Sequence, residues 1–505
     1  MEIKRRDFLK AGAAVGAAAA VGVPALNAFA KEQAGAGGMG EDPGQWIPTT
    51  CQGCTQWCPV EQFIQHGRLL RVRGNQLCKA NNGYACPRAL LLPKMVYDPD
   101  RIKVPMKRTN PQKGRGVDPK FVPITWDEAL DTIADKMLEL RKNNEPHKFM
   151  YMRGRYSPTS TDLAYGTIAK IFGSPNSFSH SAICAEAEKM GPGYTEGFFG
   201  YRDYDLARTK YLLIWGCDPL SSNRQVPNAI HKFGDILDRA TVAVVDPRLS
   251  SSAAKAHEWL PVKPGEDGAL ATAIAHVLLT EGLWSKGIYN SEPYTFKAHW
   301  GKFGTETKRF EFYSETLKKV LKEHADKHKT TIDDVLQASN YTARGEQAFV
   351  PHYEPPKRWG DEKEYPFTFI DYKSRLNREG RSQNVIWYHE FKKVDVGDVS
   401  WDDVVKINPA DAQKLGIKNG DTVRLTSPTG SITVKAKLWE GLRPGTVAKC
   451  YGQGHWAYGK VAAKEYHKAR PRGGNNNELM PDDYDRLSGS TARNGGFTGV
   501  KIEKV

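Results

Sequence analysis

The chain has 505 residues, of which 40% are hydrophobic and 26% charged, and its formal net charge is +14 at pH 7. A chain of this length holds roughly two to four domains with ordinary buried cores, so we expect a globular, water-soluble protein. The basic residues are dispersed instead of clustered, which argues against a nucleic-acid partner and favours anionic ligands.

Residues 1–30 have the pattern of an export signal. The basic pair Arg5 and Arg6 precedes an Ala/Gly/Val run, and the segment closes on a small-x-small cleavage pattern. The pair fits the twin-arginine type, which exports folded proteins, and this predicts a periplasmic protein. An uncleaved membrane helix is less favoured because the run is short and poor in leucine, and no other segment reaches the roughly 20 apolar residues of a membrane span.

A cysteine-rich segment, residues 44–107, follows a Gly-rich linker. Four of its cysteines are spaced C-x2-C-x3-C-x27-C, namely Cys51, Cys54, Cys58 and Cys86. Three thiolates in one loop and a fourth from a distant segment can enclose an iron-sulfur cubane. Zinc is the less favoured alternative, because four-cysteine zinc sites usually present two close pairs. Cys78 has no assigned role.

An α/β domain is predicted for residues 108–300. A helix starts at Thr125, where Thr125 and Glu128 are spaced as a capping box. The runs "KYLLIWGCDP" and "ATVAVVDPR" are typical of buried parallel strands, and "GALATAIAHVLLTEG" is a helix that follows the second of them. This alternation predicts a doubly wound parallel sheet, which binds nucleotide-like ligands at the carboxyl ends of its strands.

Polar and small residues stand where such a ligand would bind. Asp218 and Asp246 come just after the two strands, where a carboxylate can accept from ribose hydroxyls or guanine N–H groups. Gly265 leaves room for a pyrophosphate near a helix start. The alternative is that these residues only terminate strands.

The last part of the chain, residues 345–505, has a different character. "KNGDTVRLTSPTGSITVKAKL" alternates apolar and polar residues around Asn-Gly and Thr-Gly turns, which predicts a β-barrel-like domain. The stretch "RPRGGNNNEL" from residue 470 is predicted to be an ordered ligand loop, with a mobile surface loop as the alternative.

Two segments carry a family resemblance. "CQGCTQWCPVEQFIQHGRLLRVRGN" and "NNGYACPRALL" resemble the N-terminal domain of the molybdopterin-dependent oxidoreductases of the dimethyl sulfoxide reductase family. The resemblance implies an α/β multidomain protein whose four cysteines hold a 4Fe-4S cluster, with Arg88 between cluster and pterin.

Three further segments, "WGCDPLSSNRQ", "VVDPRLSSSAAKAHEWLPVKPGEDGALA" and the one that begins "INPADAQKLG", resemble family segments around molybdenum bis(molybdopterin guanine dinucleotide). The cofactor-binding residues that the resemblance implies are Arg88, Gly216, Asp218, Asn223, Asp246, Arg248, Gly265, Asp267, Gln453, His455 and Asn477.

"SHSAICAEAEKMG" contains one cysteine, Cys184. A lone cysteine is more often inert packing. In the family, however, molybdenum takes four sulfurs from two pterins and one side-chain ligand, and Cys184 falls at that ligand's place.

The surrounding stretch is most similar to the catalytic subunits of respiratory arsenate reductases and their arsenite-oxidising relatives. The residues implied to bind the arsenic oxyanion are Arg155, His180, Lys189 and Tyr201. Cations and O–H donors suit such an oxyanion in a pocket of low dielectric constant. The implied reaction is oxygen-atom transfer from arsenate in anaerobic respiration, with electrons from an iron-sulfur partner subunit and ultimately from quinol.

The chain is shorter than the resemblance leads us to expect, and the shortfall is predicted around residues 284–312. Arsenite oxidation and the reduction of tetrathionate or another sulfur oxyanion are alternatives within the same class. An alternative from another class is an iron-sulfur electron-transfer remnant without active molybdenum.

Overall fold

The structure is a computed structural model of the chain. It describes residues 42–54, 56–79, 81–99, 101–114, 117–154, 167–202, 204–222, 224–284, 303–377, 380–382, 404–454, 473–484 and 498–505. The signal sequence predicted for residues 1–30 and the predicted site residues Arg155, Asn223 and His455 lie outside the described residues. Within the described stretches, no helix combines the length and the apolar character needed to cross a membrane.

The N-terminal part is a three-stranded antiparallel sheet with two short helices beside it. The elements are β1 (Gln45–Thr50), β2 (Pro59–Gln65), β3 (Arg68–Gly74), α1 (Pro87–Leu90) and α2 (Leu92–Val96). The strands pair in chain order, with β2 in the middle. Val60 and Ala89, which are 1% and 2% exposed, pack with Cys51 in a small core. This core holds the loop between β1 and β2 against the segment that follows Cys86.

A layer of helices and parallel strands follows. Its elements are β4 (Met106–Arg108), β5 (Phe121–Pro123), α3 (Trp126–Lys142), β6 (Tyr151–Arg153), α4 (Ile168–Phe172), β7 (Ser177–Ser179), α5 (Glu186–Glu196), β8 (Tyr211–Trp215), α6 (Val226–Arg239), β9 (Thr241–Val245), β10 (Glu258–Leu260) and α7 (Asp267–Thr280).

Two of the parallel strands, β8 and β9, are those that the apolar runs predict, whereas β6, β7 and β10 were not predicted. β8, β9 and β10 form a three-stranded parallel sheet with β9 in the centre, and β6 pairs with β7 in a separate parallel pair. Val242 and Val244 on the central strand are 0% exposed and pack on Phe233 and Ile236 of α6. Burial on both faces explains why this strand reads as a continuous apolar run.

The predicted helix start is also confirmed. The Thr125 hydroxyl accepts from the backbone N–H of Glu128 at 3.1 Å, so Thr125 is the N-cap of α3. The reciprocal half of the capping box is replaced, because the Glu128 carboxylate pairs with Lys107 at 3.0 Å.

Two helices connect this layer to the last domain, α8 (Glu315–His328) and α9 (Ile332–Ala338). The Ser314 hydroxyl caps α8 by accepting from the N–H of Leu317 at 3.1 Å. The same hydroxyl donates to the carbonyl of Tyr194 on α5 at 2.6 Å. This bond fastens the connecting helices to the helix that follows Cys184.

The last domain is a closed barrel, as the alternating sequence predicts. Its elements are β11 (Phe367–Tyr372), β12 (Val404–Ile407), α10 (Pro409–Lys414), β13 (Thr422–Thr426), β14 (Ser431–Leu438), β15 (Thr446–Cys450) and β16 (Thr498–Lys504). The strand order around the barrel is β11-β15-β12-β14-β13-β16. The predicted turn joins β13 to β14, and the Ser427 hydroxyl closes it by accepting from the N–H groups of Thr429 and Gly430 at 3.1 and 3.3 Å.

The barrel is joined to the parallel sheet by backbone hydrogen bonds. The segment after β9 forms an isolated antiparallel bridge from Arg248 to Leu442. On its two sides, Leu249 donates to the carbonyl of Gly441 at 2.7 Å and Arg443 donates to that of Pro247 at 3.0 Å. The carboxyl end of β9 is therefore fixed against the barrel.

Candidate active site and cluster-binding loop

The four cysteines of the C-x2-C-x3-C-x27-C pattern lie around one small cavity. Cys51, Cys54 and Cys58 come from the loop between β1 and β2, and Cys86 directly precedes α1. None of these four cysteines forms a disulfide bond. Arg88, which is 2% exposed, borders the same cavity.

Two features position Cys86, and neither can be read from the cysteine spacing. They are the hydrogen bonds of the Asn81 amide and a close backbone contact at Gly74. The amide of Asn81 donates to the carbonyl of Pro59 at 3.2 Å and to that of Tyr84 at 2.8 Å, so the return segment is tied to the start of β2. Gly74 faces the backbone of Gly83, and a Cβ built on Gly74 would lie 2.1 Å from the Gly83 carbonyl oxygen. The return segment can approach this closely only because Gly74 has no side chain.

The closeness of the thiols affects the pKa of Cys58. Burial and, to a smaller extent, the neighbouring Cys54, Cys51, Cys86 and Cys78 together raise the pKa of its thiol to about 12. Thiolates in such a group need positive charge to stabilise them, and iron supplies it. The donor set therefore fits a cluster. Cys78, to which the sequence assigns no role, lies close enough to Cys58 to affect its pKa.

A second cavity, of about 830 Å³, lies where the parallel sheet meets the barrel. Its size is in the range of cofactor and ligand pockets. The first wall comes from the ends of β8 and β9 and from the turn after β7, and the second from barrel loops. Residues that border the cavity include His180, Cys184, Gly216, Asp218, Asp246, Arg248, Asp267, Arg381, Asn476 and Asn477.

Three carboxylates meet at the ends of the parallel strands. Asp218 accepts from the N–H and hydroxyl of Ser252 at 3.1 and 2.6 Å and from the N–H of Ser251 at 3.3 Å, so both of its oxygens are engaged within the protein. Asp267 accepts from the indole N–H of Trp215 at 2.7 Å. Burial raises the pKa of Asp246 to about 6, while Arg248 lowers it and the other two carboxylates raise it.

Two amide groups with unused acceptors belong to the barrel side: Asn476 borders the cavity, and Gln453 directly follows Gly452, which borders it. Within the described part of the chain, the amide oxygens of Gln453 and Asn476 are buried and have no hydrogen-bond partner. Gln453 is 7% exposed and Asn476 is 2% exposed. A buried amide oxygen without a donor costs free energy. A dinucleotide with N–H and O–H groups supplies such donors, so this wall fits the predicted cofactor.

The loop that carries Asn475, Asn476 and Asn477 lies beside this wall because of another glycine contact. A Cβ on Gly454 would lie 2.4 Å from the backbone nitrogen of Asn475. The predicted ligand loop is thus ordered at the cavity from residue 473 to residue 484.

The described members of the predicted oxyanion group are His180, Lys189 and Tyr201, and the last two lie close enough to Cys184 for it to affect their pKa. His180 and Cys184 border the cavity on the turn between β7 and α5. Lys189 lies on α5 with its Nζ 5.2 Å from the ring centroid of Tyr201, and it pairs with Glu186 at 2.9 Å. Burial alone would lower the pKa of Lys189, but the Glu186 hydrogen bond, Tyr201 and Cys184 raise it, so the ammonium stays charged.

Sequence reasoning missed several residues of this region. Arg381 borders the cavity and donates to the carbonyls of Gln52 and Gly53 in the cysteine loop at 3.0 and 3.4 Å. Cys217 borders the cavity as a second thiol, and burial raises its pKa to about 11. Arg224 and Glu188 form an ion pair at its edge. Isolated Arg and Glu residues carry no spacing signal that could have identified them.

Family models match four parts of the chain. Residues 44–98 match the molybdopterin oxidoreductase Fe4S4 domain and residues 101–438 match the molybdopterin oxidoreductase family. Residues 381–496 match the molydopterin dinucleotide binding domain. Residues 2–22 match the signal sequence of the twin-arginine translocation pathway, so the chain is exported to the periplasm.

Two relatives are similar over nearly their whole length. The arsenate respiratory reductase molybdopterin-containing subunit of Chrysiogenes arsenatis is 38% identical over an alignment of 848 residues that covers 100% of both chains. That of Shewanella sp. strain ANA-3 is 33% identical over 804 residues, covering 92% of this chain and 94% of the relative. Both alignments are longer than the 505 residues of this chain, so the relatives have residues opposite which this chain has none.

A solved structure shares the fold. Acetylene hydratase from Pelobacter acetylenicus matches with a TM-score of 0.63 and 14% identity over 91% of this chain and 100% of the hydratase chain. The matched domains give the chain two cofactors, a 4Fe-4S cluster and molybdenum bis(molybdopterin guanine dinucleotide), and make it a periplasmic oxidoreductase. From the cysteine loop to the barrel, the chain belongs to the molybdopterin oxidoreductases of the dimethyl sulfoxide reductase family.

Proposed function

We propose that this oxidoreductase reduces arsenate to arsenite in anaerobic respiration. The observation that carries the proposal is that His180 and Cys184 border a cavity that also receives the carboxylates of the parallel sheet, while Lys189 and Tyr201 contact each other close to Cys184. The two relatives that match nearly end to end, both named as arsenate respiratory reductase subunits, support the same substrate.

In this proposal Cys184 is the protein ligand of molybdenum. His180, Lys189 and Tyr201 bind the arsenic oxyanion, together with Arg155, which lies outside the described residues. Charged hydrogen-bond donors at a partly buried site bind a tetrahedral oxyanion more strongly than neutral donors do. The molybdenum cofactor, when bound, supplies the two-electron transfer of an oxygen atom. The side chains orient the oxyanion, offset its charge and donate protons to the oxygen that leaves as water.

The cofactor contacts are also part of the proposal. Asp218, Asp246, Asp267 and Arg248 would hold one dinucleotide beside Gly216 and Gly265, and Gln453 and Asn477 would hold the other from the barrel side. Asn223 and His455 belong to the same prediction. Arg88 borders the cysteine cavity and would lie on the electron path from the cluster to a pterin. The domains we propose are residues 44–107, 108–300 and 345–505.

Electrons would arrive from an iron-sulfur partner subunit, and ultimately from quinol. The cysteine loop supports this route, because Arg381 ties it directly to the wall of the cofactor cavity. Co-purification of the exported protein with a subunit that contains iron-sulfur clusters tests the partner.

The substrate is tested by dye-linked assay of the purified holoenzyme. Reduced viologen should be oxidised when arsenate is added and not when tetrathionate is added. Consumption of the dye with tetrathionate alone would refute arsenate reduction, and faster turnover of arsenite with an oxidised dye would favour the oxidative direction. About four iron atoms and one molybdenum per chain are expected, and iron without molybdenum would support the electron-transfer remnant.

The ligand is tested by comparing two thiols of one cavity. Cys184→Ser should abolish or strongly alter turnover and change the molybdenum electron paramagnetic resonance spectrum, while the iron signal stays. Cys217→Ser should leave the molybdenum spectrum as in the wild type. The opposite pattern would make Cys217 the ligand and remove Cys184 from the mechanism.

A further inference from the structure

We propose that Arg224 is the cation that meets the substrate oxyanion at the cavity wall, and that Glu188 holds its guanidinium before the anion arrives. This inference deepens the proposed function, on which it rests for the identity of the anion.

Access to the cavity singles out Arg224. Among the described residues, Arg224 and Glu188 border the cavity together with His180 and Cys184, whereas Lys189 and Tyr201 do not. The Lys189 ammonium contacts one residue of that wall indirectly, through the ring of Tyr201. A substrate that enters the cavity therefore meets the Arg224 guanidinium before it meets Lys189.

Arg224 is also the residue that joins the predicted oxyanion group together. Its guanidinium carbon lies 3.9 Å from the ring centroid of Tyr201, a close cation-π contact, and the Lys189 Nζ lies 5.2 Å from the same centroid. Arg224 comes from the loop between β8 and α6, whereas Lys189 lies on α5. The stacked guanidinium thus orients the phenol from a second chain segment.

Glu188, which accepts a hydrogen bond from Arg224, can move into solvent. The guanidinium donates to the Glu188 carboxylate, and the Glu188 side chain is 45% exposed while that of Arg224 is 21% exposed. A half-exposed carboxylate returns to water at little cost. The partly buried guanidinium can then donate to a new acceptor, and a tetrahedral oxyanion offers two oxygens that match its fork. Glu188 therefore competes with the substrate for Arg224.

If the oxyanion replaces Glu188 as an acceptor for Arg224, substitutions of Arg224 and Glu188 should have opposite effects on anion binding. Arg224→Gln should weaken the binding of arsenate, and of inorganic phosphate as an oxyanion that the enzyme does not reduce, by about 10- to 100-fold, as expected for a charged hydrogen-bond pair. Arg224→Lys should lie between, because an ammonium cannot stack or bind bidentately. Glu188→Gln should tighten binding by roughly 2- to 5-fold, since a competing exposed carboxylate is removed.

The test uses the oxidised holoenzyme without reductant, so that calorimetry measures anion binding without turnover. KM and kcat for arsenate are then measured with reduced dye, and the rise in KM for Arg224→Gln should exceed the fall in kcat. Arg202→Gln is the matched control. Arg202 also pairs with a glutamate, Glu196 at 3.0 Å, and is 20% exposed, but among the described residues it does not border the cavity. It should leave both measurements unchanged.

Unchanged binding of both anions by Arg224→Gln would overturn the proposal, and so would weaker binding by Glu188→Gln. If Arg224→Gln fails to retain molybdenum, Arg224→Lys and Glu188→Gln decide between the same outcomes. A wild-type enzyme that binds phosphate through Arg224 but reduces no arsenate would refute the proposed function alone. Arsenate reduction with an unaltered KM in Arg224→Gln would refute this inference alone.

Discussion

The barrel and the parallel-sheet layer bury their apolar residues in different ways. In the barrel, Val405, Ile407 and Leu425 are all 0% exposed in a core that the closed strands surround. In the parallel-sheet layer, α3 and α7 bury none of their residues, although both carry many apolar side chains. Trp126 on α3 is 68% exposed and Leu279 on α7 is 64% exposed.

The barrel covers its own apolar residues, whereas the parallel-sheet layer exposes apolar side chains to solvent. Closure removes the free edges of the barrel sheet, so its interior needs no neighbour. The apolar face of α7 ends just before the interval in which we predict the shortfall relative to the family. We predict that the additional residues of the longer relatives lie in that interval and cover the apolar face of this helix.

The largest expected effect compares one leucine from each region. Leu425→Ala should lower the free energy of unfolding by about 2–5 kcal/mol, because it opens a cavity in a fully buried core. Leu279→Ala should change it by no more than about 0.5 kcal/mol, since the side chain is already in water. Denaturant unfolding of the purified holoenzyme measures both. Equal losses would mean that the face of α7 is covered in solution.

Two glycine-to-alanine substitutions extend the comparison to the backbone. Gly74→Ala should destabilise the protein by about 1–3 kcal/mol and reduce its iron content, because the new Cβ meets the Gly83 carbonyl. Gly234→Ala, in α6, has open space around the new Cβ and should stabilise by about 0.5–1 kcal/mol. Iron analysis and thermal unfolding test the pair. Full iron content in Gly74→Ala would show that the return segment has room to move.

The pH dependence of stability that Asp246 causes tests the junction between the barrel and the parallel-sheet layer. Its pKa is raised by burial from 3.8 to about 6, so its contribution to stability is fully present below pH 3.8 and is lost as pH rises through about 6. In protein purified without the pterin cofactor, Asp246→Asn should therefore be more stable than the wild type at about pH 8, by about 1–3 kcal/mol. The advantage should fade at about pH 4. An advantage of the same size at both pH values would assign the effect to packing instead of to charge.

The smallest expected difference between two variants is that between two helix caps. Asn408 caps α10 in the barrel, accepting from the N–H of Ala410 at 2.9 Å and donating to the carbonyl of Leu442 at 2.7 Å. Asn408→Ala should cost about 2 kcal/mol, because it also leaves a buried carbonyl without its donor. Thr125→Ala, at the exposed start of α3, should cost about 1 kcal/mol or less. Thermal unfolding of the two variants checks the order, and a larger loss for Thr125→Ala would contradict it.

Sequence reasoning succeeded where the signal is local or periodic. The apolar runs predict β8 and β9, the alternation around Ser427 predicts the barrel hairpin, and the cysteine spacing predicts four thiols at one cavity. It could not predict that Lys406 and Lys449, among the residues that the structure describes, are fully buried. Lys406 lies 4.4 Å from the ring centroid of Tyr372 and 4.7 Å from that of Trp439, and Lys449 donates to the carbonyl of Gly474 at 2.8 Å. Because these contacts join residues that are far apart in the chain, no local sequence pattern indicates them.

By itself, the sequence determined the export signal, the family and the spacing that groups four cysteines around one cavity. Each of these follows from residue spacing or from short segments, because covalent neighbours fix which groups share a loop or a strand face. The tertiary structure alone decided which side chains share a wall of the cavity. Arg224 meets Tyr201, and Arg381 meets the cysteine loop, only because the carboxyl ends of parallel strands, the return segment and the barrel loops converge in space.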